Sequence, residues 1–276
     1  MHPILFHFGP VTIYTYGVLV ATGVVLTLWY ARQQATRAGL DPEKVWNVGI
    51  YGILSALLVA KIWLIASEWS YFSSNPRDIF SSATLESGGT FYGGLLGAIL
   101  AIFLYAYFQK MPVLRLMDVY AAAFPLGHAI GRLGCFAAGC CYGKPTSLPW
   151  GVTFTNEAAA RISGTPLGTP LHPTQLYESA AEFLNFLLLI LLGRRQRFTG
   201  QLTGAYLMLY GLERGTIEFF RGDPDRTLLF HGAISLMQIV SVALILMGAF
   251  LWWRGLSGAA PITPPATPAR AAAERS

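Results

Sequence analysis

Two arginines beside apolar stretches have the chemistry of an anion-binding site. Arg132 lies in GHAIGRLGCFAAGCCYG after the apolar residues 116–130, and Arg214 lies in YGLERGTIEFFR. A guanidinium in or near a membrane is costly and usually functional, and its planar fork binds phosphate through paired, charge-assisted hydrogen bonds. The two arginines therefore predict a clamp for an anion, and a lipid phosphate is the anion most available at that depth.

Carboxylates in the same regions leave a second interpretation open. Glu178 and Glu182 are spaced i,i+4 in LHPTQLYESAAEF, and Glu218 follows Arg214 by four residues. In this interpretation the arginines pair with the carboxylates and hold a helix bundle together. Arg214, Glu218 and Arg221 are also spaced to form one charged stripe on a helix.

All three cysteines of the chain, Cys135, Cys140 and Cys141, follow Arg132 closely. Thiolates bind metals, exchange disulfides and act as nucleophiles, so each of these roles must be weighed. Paired CxxC motifs are lacking and the nearest imidazole is His128, so the spacing favours small apolar packing. A disulfide between Cys135 and Cys140 is an alternative in an oxidising compartment. We expect no metal and no cofactor.

The composition identifies the elements that must position these residues. Of the 276 residues, 54% are hydrophobic and only 12% are charged, whereas soluble domains carry about 25% charged residues. The sequence predicts an all-α integral membrane protein with about seven transmembrane helices. Seven apolar runs are long enough to cross the hydrocarbon, namely residues 13–30, 46–66, 91–108, 113–130, 174–192, 201–220 and 232–253.

The distribution of Lys and Arg sets the orientation, because cytoplasmic loops hold the excess of positive charge. The rule places the N-terminus outside and the C-terminus in the cytoplasm, with the basic loop 194–197 inside. The net charge of +5 then reflects topology, and no nucleic-acid partner is implied. We expect residues 1–256 to form one polytopic membrane catalytic domain and 257–276 a disordered cytoplasmic tail.

Glycines and caps predict local features. Five glycines between 127 and 143 favour a broken or re-entrant helix around Arg132. Four glycines between 88 and 94 surround Tyr92 where the third span begins, which suits a close backbone approach. Asp41-Pro42 is typical of a helix N-terminus, and residues 68–87 predict a short interfacial helix.

Four motifs together resemble the bacterial prolipoprotein diacylglyceryl transferase family: GHAIGRLGCFAAGCCYG, LHPTQLYES, SGGTFYGGLLG and YGLERGTIEFFR. The resemblance covers nearly all of the predicted spans. It implies a seven-helix enzyme of the bacterial inner membrane whose partners are phosphatidylglycerol, the lipobox signal peptides of preprolipoproteins and membrane lipids. The family moves a diacylglyceryl group onto the lipobox cysteine thiol, and glycerol 1-phosphate leaves.

The resemblance also implies roles for individual residues. It assigns catalysis to Arg132, Arg214 and Glu218, and substrate binding to Arg132, Tyr16 and Arg221. We add Tyr92 as a catalytic candidate, and Cys135 and Gly143 as substrate-binding candidates.

The chain departs from the common family pattern at three positions. The usual HGG is Tyr92-Gly93-Gly94, the signature asparagine is Cys135, and the signature acidic residue is Cys140. A tyrosine is a weak base at neutral pH, so the group that takes the thiol proton is open among water, Glu218 and Tyr92. These departures keep two alternatives in view: a related transferase with another acceptor, and a lipid-binding or transport protein without chemistry.

Overall fold

The computed structural model describes residues 2–8, 11–81, 84, 89–223, 226–229 and 232–258. This part of the chain is mostly helical, as predicted. Its helices are α1 (Thr15–Arg37), α2 (Pro42–Ser67), α3 (Trp69–Ser74), α4 (Phe91–Phe108), α5 (Val113–Ala138), α6 (Glu157–Ser163), α7 (Thr174–Gly193), α8 (Gln201–Ile217) and α9 (Leu236–Gly258). A short 3-10 helix spans Pro76–Phe80.

Short strands interrupt the predicted all-α architecture. They form the antiparallel pairs β1 (Ile4–Phe8) with β2 (Val11–Tyr14), β3 (Val152–Thr153) with β4 (Pro170–Leu171), and β5 (Leu228–Leu229) with β6 (Ile234–Ser235). The first pair is rich in Ile, Phe, Val and Tyr, which favour strands, and it occupies the segment predicted only to precede the first span.

Four helices of the described part are long and apolar enough to cross a membrane: α2, α5, α7 and α9. Helix α4 is apolar but shorter. Helices α1 and α8 cover the other two predicted spans. A membrane-spanning protein is therefore supported, while the number of seven spans stays a prediction.

The chain divides into two compact units, one made of Met1–Ala31 with Met117–Ser276 and the other of Arg32–Leu116. In the second unit α2 packs along α4, where the Ser55 hydroxyl donates to the Gly97 carbonyl over 2.9 Å. A Cβ at Gly97 would lie 2.7 Å from the Ser55 carbonyl oxygen, so this close helix pair requires glycine. The predicted helix start is confirmed, because Asp41 caps α2 by accepting from the Glu43 N–H over 2.9 Å.

The glycine-rich motif does not break its helix. Helix α5 continues through Arg132 and ends at Ala138, so the expected broken or re-entrant helix is wrong for this segment. The chain turns only at Gly139, whose φ is +84°. Gly127 serves helix packing instead, since a Cβ there would lie 2.6 Å from the carbonyl oxygen of Gly23 in α1.

Asp118 of α5 caps the start of α8 within the first unit. Its buried carboxylate accepts from the backbone N–H of Gly200 over 2.6 Å and from the backbone N–H and hydroxyl of Thr203, each over 2.8 Å. The Gln196 amide donates to it over 2.7 Å. The Gly200 and Thr203 donors lie at the start of α8, where backbone N–H groups lack partners within the helix. A neighbouring helix therefore supplies the cap.

We predict that Asp118→Asn destabilises the protein, because the amide replaces a charged acceptor of four hydrogen bonds with a group that also carries donors. Hydrogen bonds to charged groups contribute about 1.5 to 3 kcal/mol, so the free energy of unfolding should fall by at least about 2 kcal/mol. The measurement is the thermal unfolding midpoint in detergent. The matched control is Glu43→Gln, because Glu43 pairs with Arg32 at an exposed site where ion pairs contribute little. Equal midpoints for the two variants would contradict the capping role.

Candidate active site

Arg132 lies six residues before the end of α5 and contacts α7. Its Nη2 lies 2.6 Å from Oε1 of Glu178, and both side chains are largely buried, at 16% and 3% exposure. Nη1 lies 3.9 Å from Sγ of Cys135. The interpretation in which this arginine pairs with Glu178 is therefore observed.

His128 extends this network by one helical turn. Its Nδ1 lies 2.6 Å from Oε1 of Glu182, and Arg132 Nε donates to His128 Nε2 over 3.2 Å. A guanidinium can only donate, so Nε2 accepts and the ring proton lies on Nδ1, facing Glu182. The Tyr206 hydroxyl donates to the same Glu182 oxygen over 3.2 Å. The imidazole thus links Glu182 to Arg132.

Arg214 lies near the end of α8 within a second buried network. Its Nη1 lies 2.7 Å from Oε2 of Glu218, and Arg226 Nε lies 2.9 Å from Oε1 of the same carboxylate. Glu218 is 1% exposed. This carboxylate therefore neutralises and orients two arginines.

Aromatic contacts between α5 and α8 give the relative position of the two arginines. The rings of Phe124 and Tyr206 are 6.2 Å apart, and those of His128 and Tyr210 are 5.8 Å apart. Each pair advances by four residues on both helices, so α5 and α8 run parallel at this contact. Continued by one further turn, this register would bring Arg132 level with Arg214.

Helix α8 ends at Ile217, so the predicted charged stripe does not continue along one helix to Arg221. Arg221 lies in an extended segment that bridges to Gly143. It pairs with Asp223 through Nη2 and donates from Nε to Oδ1 over 2.7 Å. Burial alone would lower the pKa of Arg221, but the hydrogen bond and charge of Asp223, together with the charges of Cys141 and Glu218, outweigh burial and raise the pKa above its ordinary value.

Gly143 is enclosed by backbone. Its N–H donates to the His172 carbonyl over 3.0 Å, and the next residue, Lys144, donates to the Phe220 carbonyl over 2.8 Å. A Cβ at Gly143 would lie 2.6 Å from the His172 oxygen and 2.8 Å from the Phe220 oxygen. The position therefore joins the segment after α5 to the segment after α8, beside Arg221.

The three cysteines converge, and all three are free thiols. Their Sγ atoms lie within 4.8 Å of one another, and we call Cys135, Cys140 and Cys141 the thiol cluster. Hydrogen bonds from Cys135 and Cys140 lower the pKa of the Cys141 thiol, and the charges of Arg132 and Arg221 act in the same direction. The disulfide between Cys135 and Cys140 is not formed in this structure.

The remaining predicted residues lie in different units. Tyr16 lies on α1 in the first unit against α5, because a Cβ on Gly134 would lie 3.3 Å from its Cδ2. Tyr92 lies on α4 of the second unit, and 57% of its side chain is exposed. All other predicted site residues belong to the first unit.

The sequence reasoning missed several partners in the site. His128 was considered only as a metal ligand, and Tyr206, Tyr210, Asp223 and Arg226 were given no role. A polar residue one turn before Arg132 on the same face was the available signal for His128. No comparable local signal pointed to Arg226, because its contact with Glu218 forms after the helix has ended.

A model of the prolipoprotein diacylglyceryl transferase family matches residues 3–254. The chain belongs to this family. It is 32% identical over 252 residues to the phosphatidylglycerol-prolipoprotein diacylglyceryl transferase of Clostridium tetani, covering 91% of this chain and 97% of that one. The enzymes of the same name from Pseudoalteromonas translucida and Synechococcus elongatus are each 34% identical, covering 91% and 94% of this chain and 92% and 90% of their own lengths.

The resemblance inferred from the four motifs is thus confirmed over nearly the whole chain. Within this diacylglyceryl transferase fold, the matched range includes both arginine networks and the thiol cluster. The chemistry to be explained is that of a transferase that acts on a lipid and a protein acceptor.

We predict that Gly143→Ala destabilises this transferase, because the added methyl group would meet the carbonyl oxygens of His172 and Phe220. Both oxygens already accept backbone hydrogen bonds. Overpacking of this kind costs about 1 to 3 kcal/mol. The measurement is the thermal unfolding midpoint beside the Michaelis constant for phosphatidylglycerol. The matched control is Gly131→Ala in the same motif, where a Cβ would meet nothing within 4 Å. An unchanged midpoint with a raised Michaelis constant would show instead that Gly143 contacts substrate.

Proposed function

We propose that this chain transfers the diacylglyceryl group of phosphatidylglycerol to the lipobox cysteine thiol of preprolipoproteins and releases glycerol 1-phosphate. Membership of the prolipoprotein diacylglyceryl transferase family supports the reaction. The structural observation that supports the proposal is the register of α5 and α8, from which we expect Arg132 to lie level with Arg214.

Both arginines keep donors for an anion despite their carboxylate partners. Within the described residues Arg214 donates to Glu218 through Nη1, which leaves Nε and Nη2 for a ligand. Nη1 of Arg132 lies 3.9 Å from the Cys135 sulfur, which is a weak acceptor. A phosphate oxygen in its place would form a stronger hydrogen bond. The ion pairs therefore hold the two forks in place, and the free edges of the forks bind the phosphate.

The reaction is a displacement at carbon. The acceptor sulfur attacks C3 of the diacylglyceryl group, the bond from C3 to the phosphate oxygen breaks, and its electron pair stays on the departing glycerol phosphate. The charge on that phosphate grows as the bond breaks, so fixed guanidinium groups stabilise the transition state more than the bound lipid. In a site with little water this effect is strong.

The other predicted residues take supporting roles in this proposal. Glu218 orients Arg214, and its two arginine contacts make it a poor base. Tyr92 is proposed as a hydrogen-bond donor in catalysis. The lipid and acceptor contacts fall to Tyr16, Cys135, Gly143 and Arg221.

The topology proposed for this reaction is seven spans in the bacterial inner membrane. The N-terminus lies outside, the C-terminus lies in the cytoplasm, and residues 1–256 form the catalytic domain. Residues 259–276, which make up most of the predicted tail, lie outside the described residues. The arginines then lie near the outer leaflet, where lipobox signal peptides emerge.

Complementation tests the proposed reaction directly. Expression of the chain in bacteria depleted of their own transferase should restore lipidation of a lipobox reporter, measured by its mass. A reporter whose lipobox cysteine is replaced by serine should stay unmodified. Transfer to the serine reporter alone would favour the related transferase with another acceptor, and binding of phosphatidylglycerol without any transfer would favour the non-catalytic alternative.

We predict that Arg132→Lys and Arg214→Lys each lower the transfer rate by about a hundredfold or more, because lysine keeps the charge and loses the planar fork. The measurement is kcat/KM with purified protein, phosphatidylglycerol and a lipobox peptide. The matched control is Arg161→Lys, since Arg161 is 78% exposed and 3.8 Å from Glu157. Near-normal transfer by both site variants would show that the arginines only stabilise the bundle.

We predict that Tyr92→Phe lowers turnover roughly ten- to hundredfold, the equivalent of one hydrogen bond of about 1 to 3 kcal/mol to a charged partner. Residual activity should persist across the pH range, because the lost hydrogen bond positions a group and does not take the thiol proton. The control is Tyr107→Phe on the same helix, an exposed position. A Tyr92→Phe protein that is inactive at every pH would identify Tyr92 as the base.

A further inference from the structure

The thiol cluster has the geometry of a metal site. Its three Sγ atoms lie within 4.8 Å of one another, whereas apolar packing, which the spacing favours, does not require all three sulfurs to point at one position. Three thiolates around a tetrahedral zinc ion, each with a zinc–sulfur distance of about 2.3 Å, would be about 3.8 Å apart. The observed upper limit of 4.8 Å exceeds that spacing by about 1 Å.

Buried polar side chains donate hydrogen bonds to backbone carbonyls of the loop that carries Cys140 and Cys141. The carbonyl oxygen of Gly139 accepts from the Thr165 hydroxyl over 2.9 Å. The carbonyl oxygen of Cys140 accepts from the amide of Gln175 over 2.7 Å. All three donor side chains are at most 3% exposed, and the third, the Thr174 hydroxyl, donates to the Cys141 carbonyl oxygen over 2.7 Å. The loop is therefore preorganised.

Cys141 occupies a backbone conformation that side chains rarely adopt, with φ +59°. This left-handed conformation is uncommon for residues other than glycine, asparagine and aspartate. The sulfurs of the two adjacent cysteines, Cys140 and Cys141, both lie within 4.8 Å of Cys135 Sγ.

We propose that Cys135, Cys140 and Cys141 bind one zinc ion as thiolates and leave its fourth position for the thiol of the acceptor peptide. The inference rests on the proposed function, because it names the group that activates the nucleophile of that reaction. Three protein ligands with an open fourth position are typical of catalytic zinc sites. All three cysteines are only partly buried, which is compatible with access by a ligand.

A zinc ion held by the cluster would make a base at Tyr92 unnecessary, because a thiol that coordinates zinc loses its proton to water. Binding of the acceptor thiol to zinc releases its proton to water and leaves a zinc-bound thiolate at neutral pH. The thiolate sulfur then forms the new bond to C3, the C3–oxygen bond breaks toward glycerol phosphate, and the neutral thioether leaves the metal. Zinc keeps its charge throughout, and no oxidant or reductant is needed.

Charge around the cluster suits this chemistry. Three thiolates and Zn²⁺ carry one net negative charge, and the acceptor thiolate brings the complex to two, which keeps the bound sulfur nucleophilic. Arg132 Nη1 lies 3.9 Å from Cys135 Sγ and balances part of this charge. The same arginine binds the lipid phosphate in the proposed reaction, so nucleophile and leaving group would meet at one residue.

Metal analysis of the full chain tests the site without an activity assay. Protein purified under reducing conditions should hold about one zinc per chain by mass spectrometry, and a Cys135→Ser, Cys140→Ser, Cys141→Ser variant should lose it. The matched control is Ala138→Ser, which adds a hydroxyl to the same motif without removing a thiol. Cys140→His, which exchanges one ligand for another, should keep zinc and so separates loss of the site from loss of the fold.

Cobalt exchange tests the open position. The cobalt protein should show a thiolate-to-metal absorption band, and addition of a lipobox peptide should increase that band by about one third, whereas a peptide with serine in place of the cysteine should not. Substoichiometric metal in the wild type overturns the site. So does a Cys135–Cys140 disulfide that persists in protein purified under reducing conditions. A spectrum indifferent to the peptide overturns acceptor binding. Zinc in a chain that fails complementation would uphold the site and refute the proposed function.

Discussion

The structure depends on keeping two guanidinium groups charged, ordered and partly free inside a bundle of apolar helices. An unpaired charge at such depth is unfavourable by several kcal/mol, so Arg132 and Arg214 each require a carboxylate. Glu178 and Glu218 provide it at 2.6 Å and 2.7 Å. Because an arginine has five N–H donors, one carboxylate neutralises the charge without using the whole fork. The ion pairs and the proposed phosphate site are therefore compatible.

Helix packing in the first unit follows from this requirement. Glu178 and Glu182 must lie on one face of α7 to meet Arg132 and His128, and both residues are buried. The close approach of Gly23 and Gly127 brings α1 against α5 on another side. Asp118 fixes the start of α8, and the register of α8 along α5 then determines where Arg214 falls. Interactions at opposite ends of two helices thus act on the same site.

Local sequence signals predicted much of the chain but not its long-range contacts. Asp41-Pro42 predicted the start of α2. The i,i+4 spacing of Glu178 and Glu182 on α7 predicted that these carboxylates need partners. The pairing of His128 with Glu182 joins residues 54 positions apart, and that of Asp118 with Thr203 joins residues 85 apart, so neither has a local pattern. The glycines of α5 misled the prediction, because close packing and chain breaking require the same residue. The convergence of the cysteines depends on the conformation of Cys141, which no spacing rule indicates.

The central claim is that Arg132 and Arg214 bind the same phosphate, and a double-mutant cycle tests it most directly. It compares kcat/KM for phosphatidylglycerol in the wild type, the two single lysine variants and the double variant. Arginines that share one anion should be coupled by at least about 1 kcal/mol, so the double variant should retain activity well above the product of the single effects. Effects that multiply, leaving a coupling below about 0.5 kcal/mol, would show that the two arginines act at separate sites.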